Sequence, residues 1–344
     1  MNASEQTDTD SLDVIAPLPA LIELGNGEWM TLLPADPVTD YITQNCWSKP
    51  SPPESWEAAR FSRAVYLYRE TSSEQTLVVK YYSEKSGSNA ERYATRELQF
   101  IEKILDSGLS DGKLRTLQPL GTWRGILFLE HVKGLTLGDI IAVRQSQPGR
   151  LLSALSGTAA FLGKLHSAGV HQPETPKIEP ALKDAHKYID QLASSSLLES
   201  EPTTAAGLHR LIADWTQRSS LDQYTPSLTH GDATTTNFIF PGDDSVVAVD
   251  WERLKIADPA ADIGRLAAEV SHSVRQQGGS GTEVDRLVAH LTSAYFQAVG
   301  ADAQSMQERI TFYQATSTLR IARNGWLSRL ERMMLVAQAM AMLV

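Results

Sequence analysis

Hydrophobic and polar positions follow one period early in the chain and another later. Phe61–Glu70 alternates and is rich in β-formers (Val65, Tyr66, Tyr68), and Thr76–Tyr82, TLVVKYY, is a second such run beyond the polar stretch Thr71–Gln75. The pair predicts an antiparallel hairpin. Across Asn89–Ser107 the apolar residues Tyr93, Leu98, Ile101 and Leu105 recur among charges at helical spacing. Two shorter β-like runs follow, Leu114–Leu120 and Ile126–Val132, and Pro119 restricts the first to a sheet edge. Beyond Gly134 the helical period takes over, in Leu135–Gln145, Arg150–Ser167, Ala181–Leu198 and Thr203–Gln217. Strand-like runs return only at Asn237–Phe240 and Ser245–Asp250, around the turn PGDD at 241–244. Asp258–Pro259 reads as the N-cap and first residue of a helix running towards Val274, and helices are expected through most of 282–344.

This order of elements predicts an α+β chain. A small β-rich lobe with one main helix spans 58–133, and a larger, mostly helical lobe spans 134–344. Ahead of them lies an acidic extension, residues 1–57, broken by nine prolines and glycines. Its apolar clusters Val14–Ile15, Leu21–Ile22 and Trp29–Leu33 predict that parts of it dock on the body. The 344 residues suffice for two lobes.

Charge changes the picture in one respect. Residues 1–57 hold ten acids and one base, whereas the rest of the chain is nearly balanced, with 30 bases and 31 acids. An acidic chain with no basic run is a poor nucleic-acid binder, and the acidic arm is instead a candidate surface for a protein partner. One cysteine, Cys46, excludes a disulfide framework and a zinc site built from several thiolates. The opening MNASEQTDTD has neither a basic nor an apolar signal region, and the longest apolar stretch, Met333–Val344, is too short to span a bilayer. The expectation is a cytoplasmic protein with no membrane partner.

The chemistry concentrates in Leu228–Asp250, LTHGDATTTNFIFPGDDSVVAVD. His230-Gly231-Asp232 is followed by Asn237 five residues after the aspartate, and Asp250 ends the next strand-like run. A His-Gly-Asp triplet alone is a common turn. With Asn237, the hairpin and Asp250 it becomes the H-x-D-x-x-x-x-N loop and metal-binding aspartate of phosphoryl-transfer enzymes. One carboxylate must face an acceptor hydroxyl, while an amide oxygen and a second carboxylate converge on Mg²⁺. Upstream, Lys80 ends the apolar run VVK, where an ammonium can clamp nucleotide phosphates, and Glu97 on the following helix can pair with it. Glu91 and Glu102 are rivals for that pairing.

The segments LTHGDATTTNFIF, VVAVDWERLKIADPAADIGRL and LGKLHSAG resemble the aminoglycoside phosphotransferase/choline kinase family, over residues ~58–344. The resemblance implies a protein-kinase-like two-lobed fold and ATP- and Mg²⁺-dependent transfer of a phosphoryl group to a small-molecule hydroxyl. It implies Asp232 as catalytic base, Asn237 and Asp250 as magnesium ligands and Lys80 as phosphate clamp. It also makes Leu129–Gly134 the hinge, with backbone groups of Glu130 and Val132 on adenine. His230 and Asp262 are expected to brace the loop. Gly231 stands where protein kinases carry an arginine that reads a phosphorylated activation loop, which argues for a small-molecule substrate.

Two departures qualify the resemblance. Ala58–Glu70 contains no glycine, so a glycine-rich phosphate loop is missing, and Trp251-Glu252 follows Asp250 in place of Phe-Gly. A nucleotide-binding regulator that has lost transfer is the alternative, against which stands the joint presence of Lys80, Asp232, Asn237 and Asp250. The acceptor is expected between the lobes, contacted by helices of 135–220 and 280–344. Residues 301–344 hold three acids against five arginines, a poor match to a polycationic aminoglycoside.

Overall fold

The computed structural model describes residues 14–344 apart from 26, 34–35, 47–54, 73–74, 169–174, 196, 199–201, 219–220 and 301–302. The first thirteen residues of the acidic segment thus lie outside the described residues. The chain forms two compact units, one of residues up to Lys103 with Leu117–His131, the other of Ile104–Thr116 with Val132–Val344.

The first unit is built on a sheet. It runs through α1 (Pro19–Glu23), β1 (Trp29–Thr31), α2 (Pro37–Tyr41), β2 (Trp56–Ser62), β3 (Val65–Glu70), β4 (Thr76–Tyr81), α3 (Ser83–Ser86) and α4 (Ala90–Asp106). After β5 (Leu114–Thr116), which belongs to the other unit, come β6 (Pro119–Trp123) and β7 (Ile126–Glu130). Among the described residues these make one antiparallel sheet in the order β1-β2-β3-β4-β7-β6. Period-two burial is clean in β3, where Tyr66, Tyr68 and Glu70 are buried and their neighbours half-exposed. That face packs Trp56, Tyr66, Tyr68, Tyr81 and Phe128 together, and the Tyr68 and Tyr81 hydroxyls satisfy each other at 2.7 Å. Buried tyrosines need such a partner.

The acidic segment contributes to this core. Leu21, Val38 and Ile42 are buried in it, Trp29 pairs with Ala59 across the sheet, and the Ile15 N–H donates to the Arg124 carbonyl at 3.1 Å. Helix α2 starts where Asp36 accepts the Val38 N–H at 2.8 Å and the Thr39 N–H at 3.2 Å.

Two strand expectations are redrawn. Phe61–Glu70 is not one strand: the chain reverses at Arg63-Ala64, with Ala64 at φ 64°, so the stretch ends β2 and begins β3. No glycine marked that turn. Leu114–Leu120 divides at Leu117-Gln118, because its halves pair with different strands, β5 in parallel with β11 (Ser245–Ala248) and β6 with β7. Pro119, lacking an N–H, takes the first position of the edge strand β6.

The second unit continues through β8 (Leu135–Thr136), α5 (Leu137–Ala142), α6 (Pro148–Ser167), α7 (Glu179–Ala193), α8 (Pro202–Trp215), β9 (Ser227–Thr229) and β10 (Phe238–Gly242). After β11 come β12 (Lys255–Ala257), α9 (Ala260–Gln276), α10 (Gly281–Val299), α11 (Ala303–Ala322) and α12 (Arg329–Leu343). A small sheet, β5-β11-β10-β8, and the pair β9–β12 carry the loops of interest, and the helices enclose the rest. Helix α9 begins at Ala260 rather than Pro259, yet the Asp258 carboxylate still serves its start, accepting the Ala260 N–H at 3.0 Å.

Helices α9 and α11 approach closely at Gly264. A Cβ there would lie 2.5 Å from Tyr313 Cβ and 2.7 Å from the Ile310 carbonyl oxygen, both of α11. Gly264→Ala is therefore expected to cost about 1–3 kcal/mol in urea unfolding. Gly149 on α6 meets nothing within 4 Å of its would-be Cβ, so Gly149→Ala should be neutral or stabilising by up to ~1 kcal/mol.

Candidate active site

In the first unit β4 delivers Lys80 beside Val65 of β3 and Leu127 of β7. Helix α4 meets it with Glu97, and Lys80 Nζ lies 2.7 Å from Glu97 Oε2. Both are almost fully buried, at 4% and 1% exposure. Tyr82 also donates its hydroxyl to Glu97. The rivals are placed elsewhere: Glu91 accepts the Gly125 N–H, and Glu102 is exposed. An ion pair this dry fixes the ammonium far more tightly than a surface pair. The β2–β3 turn at Arg63-Ala64 adjoins the lysine strand, for the Tyr81 N–H donates to the Ala64 carbonyl at 2.8 Å. Glu130 ends β7, its N–H bonded to the Gln118 carbonyl at 3.0 Å, and Val132 follows two residues on.

In the second unit the loop between β9 and β10 holds His230, Asp232 and Asn237. Its anchor is Asp262 in the first turn of α9, 1% exposed. Asp262 Oδ2 accepts the His230 N–H at 2.7 Å and Oδ1 the Gly231 N–H at 2.9 Å. His166 of α6 adds a third contact, Nε2 to Oδ2 at 3.1 Å, and its Nδ1 hydrogen-bonds the Tyr295 hydroxyl at 2.7 Å. Burial pushes the Asp262 pKa up. The His166 hydrogen bond and charge, with His230, pull harder and leave it below the ordinary 3.8.

Further contacts lock the loop from inside. The His230 ring packs tilted against Trp251, 4.4 Å between ring centres, donates from Nε2 to the Val249 carbonyl at 3.1 Å, and accepts the Asp232 N–H on Nδ1 at 3.3 Å. Gly231 sits at φ 75°, and a Cβ on it would fall 2.2 Å from the Arg253 carbonyl oxygen. No side chain fits there, an arginine least of all. Asn237 donates its amide to the Asp232 carbonyl at 2.9 Å, and its amide oxygen, which accepts from the Thr236 hydroxyl at 3.4 Å, is the end that can also take a ligand.

The β10–β11 hairpin sets the last groups. The Val249 N–H donates to the Asn237 carbonyl at 3.0 Å, so Asp250 emerges one residue beyond Asn237's cross-strand partner. Asp250 is left-handed at φ 66°, a conformation that aspartate tolerates better than most residues. Its carboxylate and that of Glu252 present oxygens within 4.8 Å of each other. An amide oxygen and two carboxylates are hard donors that fit Mg²⁺.

Two residues escaped the sequence reading. Arg265 Nη1 donates to Asp232 Oδ1, and Arg253 Nε lies 3.7 Å from Asp232 Oδ2. The spacing of Arg265, one helical turn after Asp262, was the available signal. Conversely, Arg309 is neither on a solvated face nor free for an acceptor. It is buried against Asp258 at 3.0 Å and donates to the Gln223 carbonyl at 2.9 Å.

The profile of the phosphotransferase enzyme family matches residues 58–308, and the chain belongs to that family. No curated protein matches the sequence. Among solved structures, the streptomycin–ATP ternary complex of APH(2'')-IIa is similar at TM-score 0.57 and 16% identity, covering 91% of this chain and 97% of that one. A choline/ethanolamine kinase family protein from Mesorhizobium loti aligns at TM-score 0.55 and 18% identity, over 89% and 94%. Choline kinase LicA from Streptococcus pneumoniae aligns at TM-score 0.52 and 15% identity, over 88% and 97%. The shared feature is the fold: α+β and protein-kinase-like, a sheet-bearing small lobe and a helical large one. Family membership supports phosphotransferase activity on a small molecule. Among the described residues no helix is long and apolar enough to cross a membrane.

Because the folded pKa of Asp262 is depressed, its stabilising contribution is complete above the unfolded value of 3.8 and is lost as pH falls through the folded one. Asp262→Asn should cost roughly 3–5 kcal/mol at neutral pH, the usual penalty for stripping one partner from a buried pair. The gap between wild type and variant in urea midpoint should narrow on acidification below pH 3.8.

Proposed function

We propose that the protein is an ATP- and Mg²⁺-dependent phosphotransferase that moves the γ-phosphoryl group to a hydroxyl of a small molecule. The observation that carries this reading is the loop from His230 to Asn237, cross-braced on Asp262 so that the Asp232 carboxylate remains 16% exposed while the histidine beside it is buried. A structural aspartate has no need of such a scaffold; a positioned base does.

Asp232 orients the acceptor hydroxyl and takes its proton. The hydroxyl oxygen bonds to the γ-phosphorus as the bond to the β–γ bridging oxygen breaks, giving a phosphomonoester and ADP. Lys80, held by Glu97, takes the nucleotide phosphates, and the Arg63-Ala64 turn supplies backbone in place of the missing glycine-rich loop. Glu130 and Val132 offer backbone groups to adenine. Asn237 and Asp250, with Glu252 close by, would hold Mg²⁺, whose charge would neutralise that of the phosphates. The proton uptake and orientation remain the work of Asp232.

Asp232→Asn should lower turnover by about 10²–10⁴, read as ADP release under saturating Mg-ATP and acceptor, with Mg-ATP affinity retained. Wild-type turnover in that variant would remove Asp232 from the mechanism. Lys80→Met should raise the KM for ATP and also destabilise the small unit, because Glu97 loses its buried counter-charge.

A further inference from the structure

Asp232 already has a partner, and that partner bears on the acceptor. Besides meeting Asp232, Arg265 lines a cavity of about 240 Å³ inside the helical unit, with Tyr188, Thr229, Gly231, Lys255 and Ser317 also in its wall. The charges here are unequal. Asp258 and Asp262 border the cavity but are spent inward, on Arg309 and on the loop. Asp184, exposed at the rim, counters the charge of Arg323. Lys177 and Lys255 are exposed cations on the wall, and Arg253 stands 3.7 Å from Asp232 on its other side. Set against Lys177, Arg253, Lys255 and Arg265 is Asp232, since Asp184 offsets Arg323 and Glu269 is paired with Arg320.

We propose that the acceptor is a small hydroxyl compound bearing an anionic oxygen group, a carboxylate or a phosphate monoester, which Arg265 binds in exchange for Asp232. The inference rests on the phosphotransferase reading and names its substrate class. A guanidinium is a planar fork suited to two oxygens of one anion. Once an acceptor's oxyanion occupies that fork, Asp232 Oδ1 is released to receive the hydroxyl a few bonds away. A polycation would meet Arg253, Lys255 and Arg265 with like charge. A neutral alcohol offers Arg265 only hydroxyl oxygens, weaker acceptors than a carboxylate, so the guanidinium stays on Asp232. The cavity also lies below the ~300–1,000 Å³ usual for drug-sized ligands, which favours an acceptor of few carbons over a multi-ring sugar.

The test compares four small hydroxyl compounds that differ mainly in charge: D-glycerate, glycerol 3-phosphate, glycerol and choline. Calorimetric binding to the full chain, without nucleotide, should give at least about tenfold tighter binding for one or both anions, and the preferred anion identifies carboxylate or phosphate. Arg265→Gln should abolish the preference, and Arg265→Lys, which keeps the charge, should retain part of it. Equal or absent binding of all four compounds, or a preference that survives Arg265→Gln, overturns the proposal. ADP release with Mg-ATP, wild type against Asp232→Asn, separates the two readings. Asp232-dependent release on glycerol or choline alone leaves the transferase standing and overturns the anionic acceptor. Anion binding through Arg265 with no Asp232-dependent release on any of the four overturns the transferase and, with it, the acceptor assignment.

Discussion

One buried carboxylate organises the helical unit. Asp262 sits at the start of α9, yet its oxygens are directed at the backbone of a loop more than thirty residues earlier, and a histidine from α6 completes its shell. A carboxylate so enclosed is tolerable only when its acceptors are filled, and here two amides and an imidazole fill them. Three segments distant in sequence are thereby tied to one atom group. The geometry of Asp232 and Asn237 is a consequence, because the loop that carries them is pinned just ahead of Asp232, at His230 and Gly231.

The small unit solves a similar problem with a different economy. Lys80 and Glu97 are buried side by side, where desolvation opposes both charges and only close pairing makes them acceptable. Replacing such a pair by hydrocarbon often stabilises a protein, so its presence marks a site where charge is wanted for another purpose. Asp232 and Arg265 form a contrasting pair, with 16% and 17% of their side chains exposed. A pair that keeps contact with water can exchange partners; a dry one cannot. Lys80 is thus held dry in the small unit, whereas Arg265 in the helical unit keeps contact with water.

Much of this was legible in the sequence. The period-two runs and the helical spacing after Gly134 gave the α+β fold, because burial on one face writes directly into sequence. The H-x-D-x-x-x-x-N loop was legible because it is local. What was lost depended on tertiary placement. The turn at Arg63-Ala64 carries no glycine or proline, and the break at Leu117-Gln118 exists because neighbouring residues pair with different sheets. Spacing left the lysine's partner open among Glu91, Glu97 and Glu102, which only the orientation of α4 distinguishes. Arg265 was marked only by its place one helical turn after Asp262, and nothing local shows that Arg253, in the loop before β12, also turns towards Asp232.

The family match opens at residue 58, inside β2, whereas the sheet opens at Trp29. Homology and folding therefore begin at different places in this chain. A fragment excised at the homology border would leave behind Leu21, Val38, Ile42 and Trp56 from the small unit's core, and would bare the edge of β2 that β1 covers. An uncovered edge is a template for strand-to-strand association between molecules. The acidic segment, which its apolar clusters predicted to dock on the body, in that sense shields the small unit from self-assembly.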